Sequence, residues 1–94
     1  MKKKNKVNIL LKANEIINER GEEKERMYGP MLETMQRAAD LASQMTGKDI
    51  TNRDIHLCMV AMKLAREAYH HKEDNLLDAI AYIASLNNLE NENI

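Results

Sequence analysis

The run from Ile55 to Tyr69 holds neither glycine nor proline, and apolar side chains cover most of its helical circumference. At about 100° per residue, Leu57, Cys58, Met59, Val60, Ala61, Met62, Leu64, Ala65 and Ala68 spread over most of the wheel. A helix that is apolar nearly all round is normally buried. The polar exceptions are His56, Lys63, Arg66, Glu67 and His70, and they share one stripe roughly 100° wide. The expectation is a buried helix presenting a narrow, mainly cationic line. Thr51 and Asp54 predict its start as a capping box, with Ile50 and Ile55 as the hydrophobic staple. An acid in the first turn also suits the positive end of the helix dipole.

After this helix, His70-His71-Lys72-Glu73 reads as a short polar turn. Asp74 is predicted to cap the next helix. Leu76, Leu77, Ile80, Ile83 and Ala84 form that helix's apolar face, with Asp74, Asp78, Tyr82 and Ser85 opposite. So short a turn makes the two helices antiparallel neighbours. It brings Lys63, Arg66 and His70 close to Asp74 and Asp78. On the residues alone, the first reading of this cluster is a structural network, with Lys63 or Arg66 paired to Asp78, because buried charges need partners. The second is a phosphate site. Lys63 and Arg66, at i and i+3, would hold the anion. Asp74 and Asp78 would hold a divalent cation bridging to it.

The rest of the chain predicts two more helices. The first covers 7–20, with Ile9, Leu10, Ala13, Ile16 and Ile17 as its stripe, Asn5 or Asn8 as its cap and Gly21 as its stop. The second covers 30–46. Pro30 suits its first position, Met31, Met35, Ala38, Leu41, Ala42 and Met45 form its inner face, and Gly47 ends it. Glu33 and Arg37 suit a surface ion pair. Residues 21–29 read as a charged linker that Tyr28 anchors. The helices of the central pair are placed at 52–70 and 74–87, with residues 1–6 and 88–94 as frayed tails. Strand alternation, long heptads and internal repeats are absent. The fold class is therefore all-α, a four-helix bundle forming one domain over 7–87.

Composition narrows the function. Ninety-four residues make one domain with a core of modest depth. There is no Phe or Trp, only three Tyr, and seven Met. Met fills space adaptably but specifies shape weakly, so the apolar faces are expected to complete their burial in a homo-oligomer. Fourteen basic against fifteen acidic residues leave a net charge of −1, which argues against a nucleic-acid binder acting through bulk charge. The run Lys2-Lys3-Lys4 reads as a solvated tail. The single Cys58 excludes an intramolecular disulfide, fits a reducing cytoplasm and reads as a small core residue. The sequence shows no signal peptide and no membrane-spanning run, so a cytoplasmic protein is expected. A Gly-rich phosphate loop and paired-Cys zinc spacing are also missing. His70 and His71 point about 100° apart on a helix and cannot share a metal as an i, i+4 pair does. Ser43 and Ser85 lack the turn that marks a nucleophile.

From Asn14 to about Leu86 the chain resembles a family of small helical proteins of unknown function common in bacteriophage genomes. The matching features are Tyr28-Gly29, Gly47, Ile50-Thr51 with Asp54-Ile55, Lys63-x-x-Arg66, and Asp74-Asn75-x-x-Asp78-x-x-x-Tyr82. That family usually carries Asn-aromatic early in the second helix and a Trp later in it; here those places hold Thr34-Met35 and Ala42. More distantly it is similar to the MazG-like all-α nucleoside triphosphate pyrophosphohydrolases. Those enzymes bind Mg²⁺ through E-E-x-x-E on one helix and E-x-x-D on the next. Here Asn75-x-x-Asp78 stands at the second motif, with Asp74 just before it, and Lys63-x-x-Arg66 stands where the first motif's acids would be.

The resemblance implies a nucleotide or related phosphorylated ligand near Lys63, Arg66, Asp74 and Asp78, with Mg²⁺ as cofactor and Asn75 and Tyr82 in support. Glu33, or an acid from a partner subunit, would complete the metal site. Any activity the resemblance implies is that of a degenerate Mg²⁺-dependent nucleoside triphosphate pyrophosphohydrolase, and cations in place of acids favour holding an anion over cleaving one. The rival expectation is a non-enzymatic module, such as a viral antagonist of host defence. It would bind a host or phage protein through a Met-rich face, and the charged cluster would be purely structural.

Overall fold

The computed structural model describes residues 8–18 and 30–92. Among them are four α-helices: α1 (Ile9–Asn18), α2 (Met31–Thr46), α3 (Asn52–Tyr69) and α4 (Glu73–Glu92). No strand occurs among the described residues, so the all-α class is correct. The expected tail at 1–6, the linker with Tyr28, and the signals at Asn5 and Gly21 lie outside the described residues.

Local signals set most helix ends. Asn8 Oδ1 accepts from the backbone N–H groups of Leu10 (3.1 Å) and Leu11 (3.2 Å), satisfying two of α1's free donors. Pro30 sits one place earlier than expected, at the N-cap with extended backbone, and α2 begins at Met31. Gly47 closes α2 at φ 72°, the left-handed region where a Cβ is strained. At the start of α3 the capping box is complete: Asp54 N–H donates to Thr51 Oγ1 (3.1 Å) and Thr51 N–H to Asp54 Oδ2 (3.0 Å). The Thr51 backbone N–H, then its hydroxyl, holds the Asp54 carboxyl below its ordinary pKa. Ser43 clamps the α2–α3 link: its hydroxyl donates to the Ile50 carbonyl (3.0 Å) and accepts from the Ile50 N–H (2.9 Å).

The last helix departs from expectation at both ends. It starts at Glu73, so Asp74 lies in its first turn. It continues to Glu92, past the expected end at 87. Asn87-Asn88 are weak helix formers, yet neither glycine nor proline follows to stop the helix. Glu90 is tied to Arg53 of α3 at 3.1 Å.

α4 is the hub, packing against α3 most extensively and also against α1 and α2. It is therefore lined on several sides, and Asn75, Leu77, Ala79 and Ser85 are all buried. The expected outward Ser85 points inward, while the expected core residue Ile83 is exposed. On α2 the buried line runs through Met35 and Ala39, leaving Met31, Leu41 and Met45 exposed; on α1, Leu10 is exposed. The buried apolar residues among those described are Ala13, Met35, Ala39, Leu77 and Ala79. Three of the five are alanines, so this core supplies little hydrophobic area.

The largest correction concerns α3, whose orientation is the reverse of that expected. His56 is wholly buried (0% exposed), while Leu57, Met62, Leu64 and Tyr69 are exposed, as is Cys58. The reason is hydrogen bonding. His56 Nδ1 lies 3.1 Å from the Asn52 carbonyl, which can only accept, so Nδ1 carries a proton. In the neutral ring Nε2 then accepts the Ser85 hydroxyl at 2.8 Å. Asn52 Nδ2 donates in turn to the Leu32 carbonyl (3.0 Å) and to Gln36 Oε1 (3.4 Å). One polar chain thus joins α2, α3 and α4. His56→Ala should lower stability by about 2–4 kcal/mol, through a cavity and two lost hydrogen bonds. Ser85→Ala should lower it by about 1 kcal/mol. Urea denaturation measures both; two variants as stable as the parent would show that the chain supports nothing.

Candidate functional site

The charges cluster where α3 turns into α4. Glu67, in the last turn of α3, organises this corner. Its Oε1 accepts from the Lys72 backbone N–H (3.1 Å) and from Asn75 Nδ2 (3.3 Å). Its Oε2 accepts from His71 Nδ1. Asn75 Nδ2 also reaches the His70 carbonyl at 3.5 Å. Glu67 therefore ties together the last turn of α3, the connecting residues and the first turn of α4. The His71 contact, followed by the Lys72 N–H and Asn75 bonds, holds the Glu67 carboxyl below its ordinary pKa. Sequence reasoning placed Glu67 on the stripe but gave it no role. The signal was available in its spacing: an acid four residues before His71 and five before Lys72 can reach back over a helix end.

One turn earlier, Lys63 Nζ pairs with Asp78 Oδ2 at 2.9 Å, with side chains 16% and 42% exposed. This is one of the two pairings expected for a structural network. The other sequence candidates spread apart. Arg66 is exposed near the end of α3 and His70 just beyond it, and Asp74 is exposed in the first turn of α4. Asn75 is buried in the Glu67 cluster. Tyr82 is half-buried two turns further along α4 than Asn75, and Glu33 is exposed in the first turn of α2. Glu33 and Tyr82 line neither of the two pockets described below.

Arg66, His70 and Lys72 meet around an open pocket of about 610 Å³, with Ala65, Tyr69 and Asn75 completing its lining. No carboxylate lines it. None of the three basic side chains is in an ion pair among the described residues. Tyr69 is 93% exposed and offers a free ring face. A larger open pocket of about 790 Å³ lies at the other end of α3, but its lining includes Asp40, Asp49 and Glu90 with Arg53. Glu90 already engages Arg53, and none of the sequence candidates lines this pocket.

The Mg²⁺ expected from the resemblance fits these residues poorly. The Lys63 ammonium occupies the Asp78 carboxylate, and the Asn75 amide N–H donates to Glu67. Among the described residues no three His, Cys, Asp or Glu side chains are grouped to hold a metal ion.

These features define a small all-α protein with a basic, acid-free pocket at a helix–helix corner. Residues 8–90 match the domain family DUF6378, a domain of unknown function, and the chain belongs to that family. Searches of characterised proteins and of solved structures returned no match.

The lowered Glu67 pKa has a consequence for stability. The contribution of the ionised group is present above the ordinary glutamate pKa of about 4.3 and is lost as pH falls through the lowered value. Asp54 behaves alike. The melting temperature of the parent should therefore fall as pH drops from about 5 to about 3. Glu67→Gln should start lower at neutral pH and show a shallower fall. Parallel pH profiles for the two proteins would mean that the Glu67 contacts do not stabilise the corner.

Proposed function

We propose that this protein binds a small phosphorylated ligand in the pocket formed by Arg66, His70 and Lys72. The observation that carries the reading is three basic side chains on one concave surface with no acid to neutralise them. A guanidinium matches two phosphate oxygens at once, and a lysine ammonium adds a point charge. The open face of Tyr69 suits stacking by a base, so a nucleotide answers the whole pocket better than bare phosphate. The phage-type and MazG-like resemblance supports the same ligand class. Relative to the sequence expectation, the phosphate contacts move along α3. Arg66 keeps its role, His70 and Lys72 join it, and Lys63 is given to Asp78. With cations where MazG-like enzymes carry acids, the reading is of a protein that retains a nucleotide rather than hydrolysing it.

A thermal-shift panel tests this: inorganic phosphate, pyrophosphate and nucleoside mono-, di- and triphosphates, each with and without Mg²⁺. A ligand at 100 times its dissociation constant adds about 2.7 kcal/mol to stability. The expected result is stabilisation that does not need Mg²⁺, survives Lys63→Met, and disappears in Arg66→Ala with Lys72→Ala. No shift across the panel, or a shift that survives the double substitution, would refute the assignment.

A second reading, a protein-interaction module, is favoured by the outward side of α3. Leu57, Met62, Leu64 and Tyr69 are exposed there, together with Cys58. A viral antagonist of host defence is one form such a module would take.

A further inference from the structure

The larger pocket, at the start of α3, is the electrical opposite of the basic one. Asp40 of α2, Asp49 of the α2–α3 link and Glu90 of α4 line it against the single cation of Arg53. Three carboxylates and one guanidinium leave a net charge of −2. Backbone dipoles act in the same direction. Gln44 in the last turn of α2 and Leu89 in the last turn of α4 also line the pocket. A helix C-terminus carries partial negative charge and is stabilised by a cation. Neither of these helices has a basic residue in its last turn. The positive end of α3 meets the same pocket, but the Asp54 carboxylate of the capping box already offsets it.

A second, independent feature asks for a hydrogen-bond donor. Asn52 lines this pocket and is only 8% exposed. Its Nδ2 donates to the Leu32 carbonyl at 3.0 Å. A carbonyl can only accept, so the orientation of the amide is fixed. Asn52 Oδ1 is then buried with no hydrogen-bond partner among the described residues. Buried acceptors are nearly always satisfied, because leaving one unpaired is costly.

We propose that this pocket binds a linear polyamine. One ammonium N–H completes Asn52 Oδ1, and the remaining charges are held by Asp40, Asp49 and Glu90. The ligand class follows from what the pocket lacks, positive charge and N–H donors, and an ammonium supplies both. A metal ion does not answer the same arrangement, since among the described residues no three acidic, His or Cys side chains are grouped to hold one. Carboxylates that stand apart call for charges spread along a chain. Asp40 takes Gln36 Nε2 through Oδ1 at 3.1 Å, and Glu90 takes Arg53 Nε through Oε1 at 3.1 Å. Each keeps its second oxygen for the ligand, and Asp49 is in no ion pair among the described residues. Gln36 is exposed and meets Asn52 through a long 3.4 Å contact, so it is the side chain that swings out to admit the donor. The volume of about 790 Å³ falls in the range of small-molecule sites. The two pockets lie at opposite ends of α3, about 25 Å apart along its axis, so this site stands apart from the phosphate reading.

Calorimetric titration with spermidine at about 0.15 M salt tests the assignment, with hexamethonium and Mg²⁺ as controls. Hexamethonium carries two charges on a chain but no N–H. The expected result is saturable binding of spermidine and of neither control. Asp40→Asn with Asp49→Asn should weaken it roughly tenfold, the size of two exposed ion pairs. Both positions are exposed, so helicity by circular dichroism should hold. Arg66→Ala with Lys72→Ala should leave spermidine binding unchanged. The Asn52 side-chain amide signals in NMR spectra of the parent should shift as spermidine is added.

A heat of mixing that does not saturate would overturn the assignment, as would hexamethonium or Mg²⁺ binding as tightly as spermidine. An affinity that survives the two Asp substitutions, or that falls with the Arg66 and Lys72 pair, would overturn it too. Asn52 amide signals that stay still at saturating spermidine would show that the contact singling out this pocket does not form, with the same consequence.

Discussion

The structure depends on one buried histidine. His56 has no exposure and two ring nitrogens, and each needs a partner because an unsatisfied buried polar group is expensive. Asn52 and Ser85 supply them, and Asn52 goes on to the backbone and side chain of α2. Hydrophobic area alone would not choose a rotation for α3, whose apolar residues surround most of the helix. The polar chain chooses it. Once His56 faces Ser85, Lys63 faces Asp78 and Glu67 faces Asn75, since all three lie on the same stripe of α3.

That choice leaves a small domain with an unusual balance. Its described interior is lined by three alanines, a leucine and a methionine, while ten of the described large apolar side chains stand exposed. Specificity in the interior comes from directional hydrogen bonds, and much of the apolar area lies outside. The helix pair α3–α4 is the most extensive contact, with α1 and α2 bracing α4 and the start of α3.

The corner beyond Glu67 links this architecture to the pocket. Glu67 takes the Lys72 N–H, His71 and Asn75 at once. The Glu67 carboxylate is thereby turned to the connecting backbone, and no carboxylate lines the pocket where Arg66, His70 and Lys72 meet. A site for an anion needs such a surplus, and here the surplus is a by-product of how the turn is built. Lys63 shows the converse. Its charge is the one that sequence spacing makes conspicuous, yet it is paired across the helix interface.

How much of this was legible in the sequence depends on the range of the interaction. The helices of the described chain, the Asn8 cap, the Thr51–Asp54 box and the Gly47 stop follow from neighbours within four residues, which the sequence displays directly. The antiparallel α3–α4 pair follows from the length of the turn, and the Lys63–Asp78 contact follows from that pair. The C-terminal end of α4 was misplaced because its extension is secured by Arg53 and Glu90, which are 37 residues apart. The rotation of α3, the burial of Ser85 and the exposure of Cys58 were also beyond a helical wheel. A wheel ranks side chains by polarity, and it cannot see that a histidine has found two partners on other elements. The sequence by itself determined the helices and their order. Which face of α3 lies inside was decided by tertiary hydrogen bonds, because His56 tolerates burial once both ring nitrogens are paired.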